Sequence, residues 1–449
     1  MSDLAIQTGE WARLTPETHA ALAGRALASG HRDVARELSE SGRLEVLELA
    51  CGLEIRTTSW VGRINLGEVS ITISSKITGA PLLELLRYAY GLRDLSLYAD
   101  VAYAPSQATF QDLLVHQLAA EVSELLSRGL HRDYKARRED LSSPAGRIDF
   151  GAYPRIAAEA KSVLPSIHYP RTEATLMNQV LLGGLRLGAQ LANDPALRSR
   201  SRRLAQFLEA TVPPLALGLR DVERVRQIMD RRHRAYEPSL NIIELLLEGS
   251  GVSLEQASSR ITLASFLFDM NRFFQGLLSR FLREHLPNHT VRDEYRLHEM
   301  FAYDDSANPH RRKAPTPRPD FVVFEGKRVV AVLDAKYRDL WNQALPREML
   351  YQLALYALGH RAKARQATIL YPSLADSARE QIVQLRDPLK GSLEAKVVLR
   401  PVNLLDLAGA VARCQTEVGQ EQCRRLAAAL AFGSVPAPMS FTLPPLPRS

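Results

Sequence analysis

Through residues 44–77 apolar and polar positions alternate with a period of two, as in Val69-Ser70-Ile71-Thr72-Ile73-Ser74, and β-branched side chains are dense. Side chains on a strand point to opposite faces in turn, so this stretch predicts several short antiparallel strands forming a small barrel or sandwich, punctuated by Gly52, Gly62 and Gly67. The period then lengthens. Behind Pro81, which suits a first helical turn, leucines fall on one face of residues 82–89, and a second helix is predicted over 111–130. After the basic stretch 131–140 and Pro144-Ala145-Gly146, the chain turns back into extended structure at Arg147-Ile148-Asp149. Residues 173–192, 202–210 and 239–248 regain helical spacing around the Arg-rich stretch 221–234, so the middle of the chain is mainly α. A helix over 263–284 opens the last large unit, which turns β-rich, crosses the polar stretch 304–318 and returns to strands and helices. Residues 436–449 hold five prolines and predict an extended tail or surface strap. No internal repeat interrupts this order.

Within the last unit, residues 318–337 read as a β-hairpin about Glu325-Gly326-Lys327. Folding the chain back there brings Asp320 to the open end that also holds Asp334. Strand alternation puts Asp334 and Lys336 on one face with Val330 and Val332, and Val329, Ala331, Leu333 and Ala335 on the other. Apolar residues on both faces predict a central, buried strand. Two carboxylates and an ammonium at the end of such a strand are destabilising unless they pair with one another or bind a metal. A structural ion pair accounts for a bare D-x-K. The aspartate one hairpin upstream, together with Gln352 and Tyr356 at i, i+4 on the following helix, makes the combination more specific.

Composition narrows the choice. A chain of 449 residues implies two to four domains, and 46% hydrophobic with 24% charged residues is the make-up of folded globular proteins. The net charge of +7 permits a polyanionic partner without requiring one. Cys51, Cys414 and Cys423 are too few and too scattered for a disulfide framework or a C-x-x-C zinc site, which fits a reducing cytoplasm. No export signal or membrane span is expected. No G-x-x-x-x-G-K-[ST] motif occurs, so an energy source would come from a partner; H-E-x-x-H and G-x-S-x-G are likewise absent. The run His310-Arg311-Arg312-Lys313 followed by Arg318 leads into Asp320 and is the better candidate for phosphate contact. Interleaved acids make Arg132 to Arg138 a solvated face as readily as a DNA track.

The Asp320 and Asp334-Ala335-Lys336 combination resembles the PD-(D/E)xK nuclease superfamily, in which two acids hold a divalent ion and the lysine serves the nucleophile. The resemblance implies Asp320 and Asp334 as Mg²⁺ (or Mn²⁺) ligands, the Ala335 carbonyl as a third contact, and Lys336 at the attacking water. Gln275, Gln352 and Tyr356 would support them. A more specific resemblance is to the McrC family, the nuclease subunit of 5-methylcytosine-specific McrBC restriction systems. It is carried by residues 266–275, Leu333-Asp334-Ala335-Lys336-Tyr337, residues 351–356, residues 71–77 with the Leu-rich helix behind them, Gly146-Arg147-Ile148-Asp149 and the helix around Asn178. It spans about residues 45 to 400. McrC-like proteins commonly have glutamate where this chain has Gln275, which implies weaker metal affinity.

The expected fold class is therefore α/β, α+β over the whole chain, with a PD-(D/E)xK restriction-endonuclease-like core. Residues 1–150 form a β-rich module docking on an AAA+ partner, 151–255 a helical middle, 256–400 the nuclease domain and 401–449 a C-terminal extension with the Pro-rich tail. By resemblance, the chain cleaves double-stranded, methylated or unmethylated DNA when engaged by a McrB-like AAA+ GTPase hexamer, which binds the GTP and whose hydrolysis it stimulates. The alternative is a non-catalytic nuclease-like adaptor, favoured by Gln275. Motors with other DNA-reading domains are a further possibility. Base specificity is expected to lie in the partner, since no base-flipping pocket is legible.

Overall fold

Gly326 and Lys327 form a two-residue turn between the strands Phe321–Glu325 and Arg328–Ala335, with Gly326 at φ +60°, where glycine is favoured. In this computed structural model, which describes residues 4–92, 109–158, 162–250, 265–298, 300–359 and 365–433, that hairpin lies inside a mixed sheet of six strands. The order is Thr290–Asp293, Phe321–Glu325, Arg328–Ala335, Gln366–Ser373, Leu393–Asn403, Gln381–Arg386. The first three run antiparallel, the next two join parallel to Arg328–Ala335, and the last returns antiparallel at the edge. The helix Arg347–Gly359 makes the crossover and covers one face, burying Leu353, Tyr356 and Ala357 against Val332, Ile369 and Val397. Helices Met270–His285 and Glu417–Phe432 cover the other face, where Leu333 and Ala335 join the main core.

Strand alternation in the hairpin holds only in part. The register shifts between Val323 and Phe324, which face Ala331 and Val329, leaving Val330 as an extra residue. Such a bulge reverses the faces beyond it. Val330 therefore packs with Ala331 against the core that holds Leu333, and Val329 against the one that holds Val332, the reverse of the expected placement.

The N-terminal pattern yields the strands Leu44–Leu49, Gly52–Thr57, Trp60–Leu66 and Val69–Ser74, divided between two sheets. One has the order Arg13–Leu14, Gly52–Thr57, Leu44–Leu49; the other Leu4–Gly9, Val69–Ser74, Trp60–Leu66, Phe266–Asp269. The two sheets share one apolar core, closed by the helix Ser29–Glu40. Pairings among the four strands within residues 44–74 are antiparallel, as expected, while Leu4–Gly9, which precedes that stretch, pairs parallel to Val69–Ser74.

A second correction concerns the helix expected over 263–284. Residues 263 and 264 lie outside the described residues; Phe266–Asp269 is a strand, and the helix begins at Met270, capped by the Asp269 carboxylate, which accepts from the Asn271 and Arg272 N–H groups. Leu267 enters the N-terminal core while Phe266 and Phe268 enter the main one. Burial on both faces removes the period-two signal, and the segment reads as a continuation of the helix.

Phe110–Arg128 is the expected second helix, and behind the short strands Leu164–His168 and Arg171–Thr172 the middle is mainly helical, with Leu176–Leu191, Pro195–Glu209, Leu219–Ile228 and Glu237–Ser250. Thr109, Thr175 and Asp194 cap the first three. Among the described residues no helix is long and apolar enough to cross a membrane. The Pro-rich stretch 436–449 lies outside the described residues.

Candidate active site

The pairing of Phe321 with Leu333 puts Asp320 and Asp334 side by side where the hairpin opens. Lys336 lies between them, its Nζ 2.9 Å from Asp334 Oδ2 and 3.3 Å from Asp320 Oδ2. The Ala335 N–H donates to Asp320 Oδ2 at 2.7 Å, which fixes that carboxylate against the neighbouring strand. Asp334 is 2% exposed, and its Oδ1 is buried without a hydrogen-bond partner. Burial, and then the charge of Asp320, push Asp334 up to about 6 against the pull of Lys336. Burial draws the Lys336 ammonium down, but Asp334 and Asp320 together outweigh it and hold its pKa above the ordinary value.

Other residues singled out in the sequence gather around this triad. Gln275, one turn into the helix Met270–His285, donates from Nε2 to Asp320 Oδ1 at 3.3 Å. Gln352 Nε2 donates to the Tyr356 hydroxyl at 2.8 Å. Both line a cleft of about 560 Å³ with Thr316, Pro317, Arg318 and Leu355, so Arg318 stands at its wall two residues from Asp320. Arg311, Arg312 and Lys313 are exposed on the irregular segment leading there. In the other basic stretch, Arg132 pairs with Glu173 at 2.7 Å and Arg137 with Glu139 at 3.4 Å, as suits a solvated face.

A family description, the McrBC 5-methylcytosine restriction system component, matches residues 55–372, more than half of the chain. The chain belongs to that family. Among solved structures this McrBC component is similar to a chain of the refined half-complex from a tetradecameric assembly of Thermococcus gammatolerans McrB AAA+ hexamers with bound McrC. The identity is 17%, covering 94% of this chain and 99% of that one, with a TM-score of 0.63. A second likeness is to the cryo-EM structure of the Thermococcus gammatolerans McrBC complex, at 17% identity over 64% of this chain and 89% of that one, with a TM-score of 0.46. The first of these is a likeness of fold. No curated protein matches the chain.

Sequence reading missed a ring of residues behind the triad in this McrBC component. Asn271 Oδ1 accepts from the Tyr337 N–H at 3.0 Å, while its Nδ2 donates to Ser59 Oγ at 2.9 Å. Ser75 Oγ lies 3.4 Å from the Tyr337 hydroxyl, and Trp11 reaches the Tyr337 carbonyl. Tyr337 is thus held by the helix Met270–His285 and by residues that flank the N-terminal strands. No spacing rule links residues so distant, although Ser75, Asn271 and Tyr337 each fall in a segment that carries the family resemblance.

Proposed function

We propose that this McrBC component is a divalent-metal-dependent DNA endonuclease of the PD-(D/E)xK type, acting in the cytoplasm with a McrB-like AAA+ GTPase hexamer whose GTP hydrolysis it stimulates. The observation that carries the reading is the convergence of Asp320, Asp334 and Lys336 at one strand end, with Asp334 Oδ1 buried and unpartnered. Two carboxylates against a single ammonium leave negative charge that an added cation would balance, and oxygen donors suit Mg²⁺ or Mn²⁺. Asp320 and Asp334 would hold the ion, with the Ala335 carbonyl as a third contact. When bound, it supplies Lewis acidity, offsetting phosphate charge and acidifying water.

The chain's own groups have distinct tasks. Lys336 stays an ammonium at neutral pH and can stabilise charge developing on the phosphate oxygens. Gln275 and the Ala335 N–H orient Asp320. Arg318, with Arg311, Arg312 and Lys313, would track the DNA backbone into the cleft walled by Gln352 and Tyr356. Residues 1–150 would dock on the GTPase and residues 256–400 would form the nuclease domain, joined by 151–255 and followed by 401–449. The similar fold described with McrB hexamers supports that partner.

Cleavage of methylated and unmethylated plasmid by wild type and Lys336→Ala, with Mg²⁺, GTP and the motor supplied or omitted, tests the reading. Motor-dependent cutting that disappears in Lys336→Ala is expected. Equal cutting by both proteins would refute it. Gln275, standing against Asp320 where an acid is common, favours a second reading, an adaptor that stimulates the GTPase without cutting. Undiminished GTP hydrolysis with no cleavage by wild type in any condition would select that one.

A further inference from the structure

The spacing of the cysteines argues against a C-x-x-C zinc site, yet the fold brings two of them to one histidine. His285 ends the helix Met270–His285, Cys414 follows the helix Leu404–Ala412, and Cys423 lies in Glu417–Phe432. The His285 imidazole nitrogen and both sulfurs lie within 4.8 Å of one another. Cys414 Sγ is 3.5 Å from His285 Nε2. A tetrahedral zinc ion with bonds of about 2.3 Å to sulfur and about 2.05 Å to nitrogen places those two ligands about 3.6 Å apart. We propose that His285, Cys414 and Cys423 form a zinc site that ties the C-terminal helix pair to the helix carrying Gln275.

The donor set decides the class of ion. Two thiols and an imidazole are soft to borderline ligands, which suit Zn²⁺ and disfavour Mg²⁺. This site and the carboxylates of Asp320 and Asp334 would therefore take different metals from the same solution. Cys423 is fully buried and His285 is 8% exposed, whereas Cys414 is half-buried. The Cys414 side is thus the route by which an ion would arrive and a water would fill the fourth position.

The surroundings hold the histidine in place. The Tyr88 ring stacks on His285 at 6.4 Å between centroids, and Phe281 lies 4.8 Å away on the same helix. The Tyr88 hydroxyl, 3.4 Å from Nε2, donates to Glu284 at 2.6 Å. The hydroxyl meets the same nitrogen that faces Cys414 and would give way to an ion there, while the flanking rings limit rotation of the imidazole. Without an ion, Cys423 Sγ donates to the Ala410 carbonyl at 3.4 Å and the Cys414 thiol meets the imidazole, so metal-free packing is the competing account. On binding, each coordinating thiol releases its proton to solvent.

The experiment uses the full chain, purified with reductant, stripped by chelator and titrated with Zn²⁺ or Mg²⁺ while thermal unfolding is followed. Wild type should retain about one equivalent of zinc per chain before stripping. Its Tm should rise with Zn²⁺ and not with Mg²⁺, and Co²⁺ should give a thiolate charge-transfer band. Cys414→Ser should lose the band and the Tm rise. An unchanged Tm in wild type with Zn²⁺, or equal zinc retention and Tm rise in Cys414→Ser, would overturn the proposal. So would a Cys414–Cys423 disulfide in protein purified without reductant, if that protein binds no zinc once reduced. The wild-type titration decides by itself should the variant fail to fold.

Discussion

The indole Nε1 of Trp11 donates to the carbonyl of Tyr337 at 3.2 Å, joining the first residues of the chain to the one that follows Lys336. Trp11 adopts φ +57°, unusual for a bulky side chain, and Arg338 lies 5.3 Å from its ring. Trp11→Phe keeps an aromatic ring and removes the donor. A part-buried hydrogen bond of this kind contributes about 1 kcal/mol, so the unfolding free energy of the variant should fall by about that much or more, read as a lower denaturant midpoint. On the nuclease reading it should also cut more slowly, because the end of the Asp334-Lys336 strand is less firmly held. Wild-type stability together with wild-type cutting would show that the contact does neither.

Asp334, a metal ligand on the proposed reading, should also be a source of instability. Its pKa rises from 3.8 to about 6 through burial and then Asp320, so the folded state disfavours the charged form. The stability associated with the neutral acid is present below pH 3.8 and is lost as pH rises through about 6. Asp334→Asn should accordingly melt above wild type at about pH 8 in chelator, and near it at about pH 4, while cutting no DNA. Thermal scans at the two pH values and a plasmid assay check both halves.

Glu10 gives a second pH dependence at the other end of the same contact network. Burial lifts it from 4.5 to about 7, against the lowering influence of Lys76 and of the Tyr337 and Ser75 hydroxyls, and neither carboxylate oxygen is well hydrogen-bonded. The sign is again that of a raised acid: stability is full below 4.5 and declines as pH passes through about 7. Glu10→Gln should flatten the curve of Tm against pH over that window and raise its alkaline end. A curve parallel to that of wild type would place the titration elsewhere.

Gln275 contacts Asp320 with a neutral amide. Gln275→Glu adds a third carboxylate, and the Mg²⁺ concentration giving half-maximal cleavage should fall several-fold if the triad binds the ion. Titrating cleavage against Mg²⁺ in both proteins measures this directly. An unchanged midpoint would remove residue 275 from the metal site.

Gly62 permits the pairing between Trp60–Leu66 and Phe266–Asp269. Its φ is +131°, and an added Cβ would lie 2.1 Å from the Phe266 carbonyl oxygen. Gly62→Ala should therefore destabilise the protein by about 3 kcal/mol, read from denaturant unfolding, because backbone on one strand or the other has to move.

The hairpin that carries Asp320 and Asp334 was legible because its signals are local. The valines on either side of Gly326 and the positions of Asp320 and Asp334 relative to the turn determine which side chains meet, and the structure brings those same residues together. The exchange of Val329 and Val330 was not legible, since a bulge adds one residue to one strand and leaves no mark on apolar composition. Phe266–Asp269 was misread because burial on both faces resembles the start of a buried helix. Glu10, Trp11 and the cluster of His285 with Cys414 and Cys423 depend on contacts between distant segments. No period in the chain reports contacts of that kind.

The strand Phe266–Asp269 also bears on how the chain matures during synthesis. Asn65 and Ser265, which meet beside this pairing, are 200 residues apart. At translation rates of about 5–20 residues per second, roughly 10–40 s separate the appearance of Trp60–Leu66 from that of its last neighbour. For that interval the strand presents an open row of N–H and C=O groups, the kind of edge that pairs with a second nascent chain. The N-terminal sheet is therefore most exposed to misassembly on crowded polysomes, and slower synthesis would lengthen the exposure.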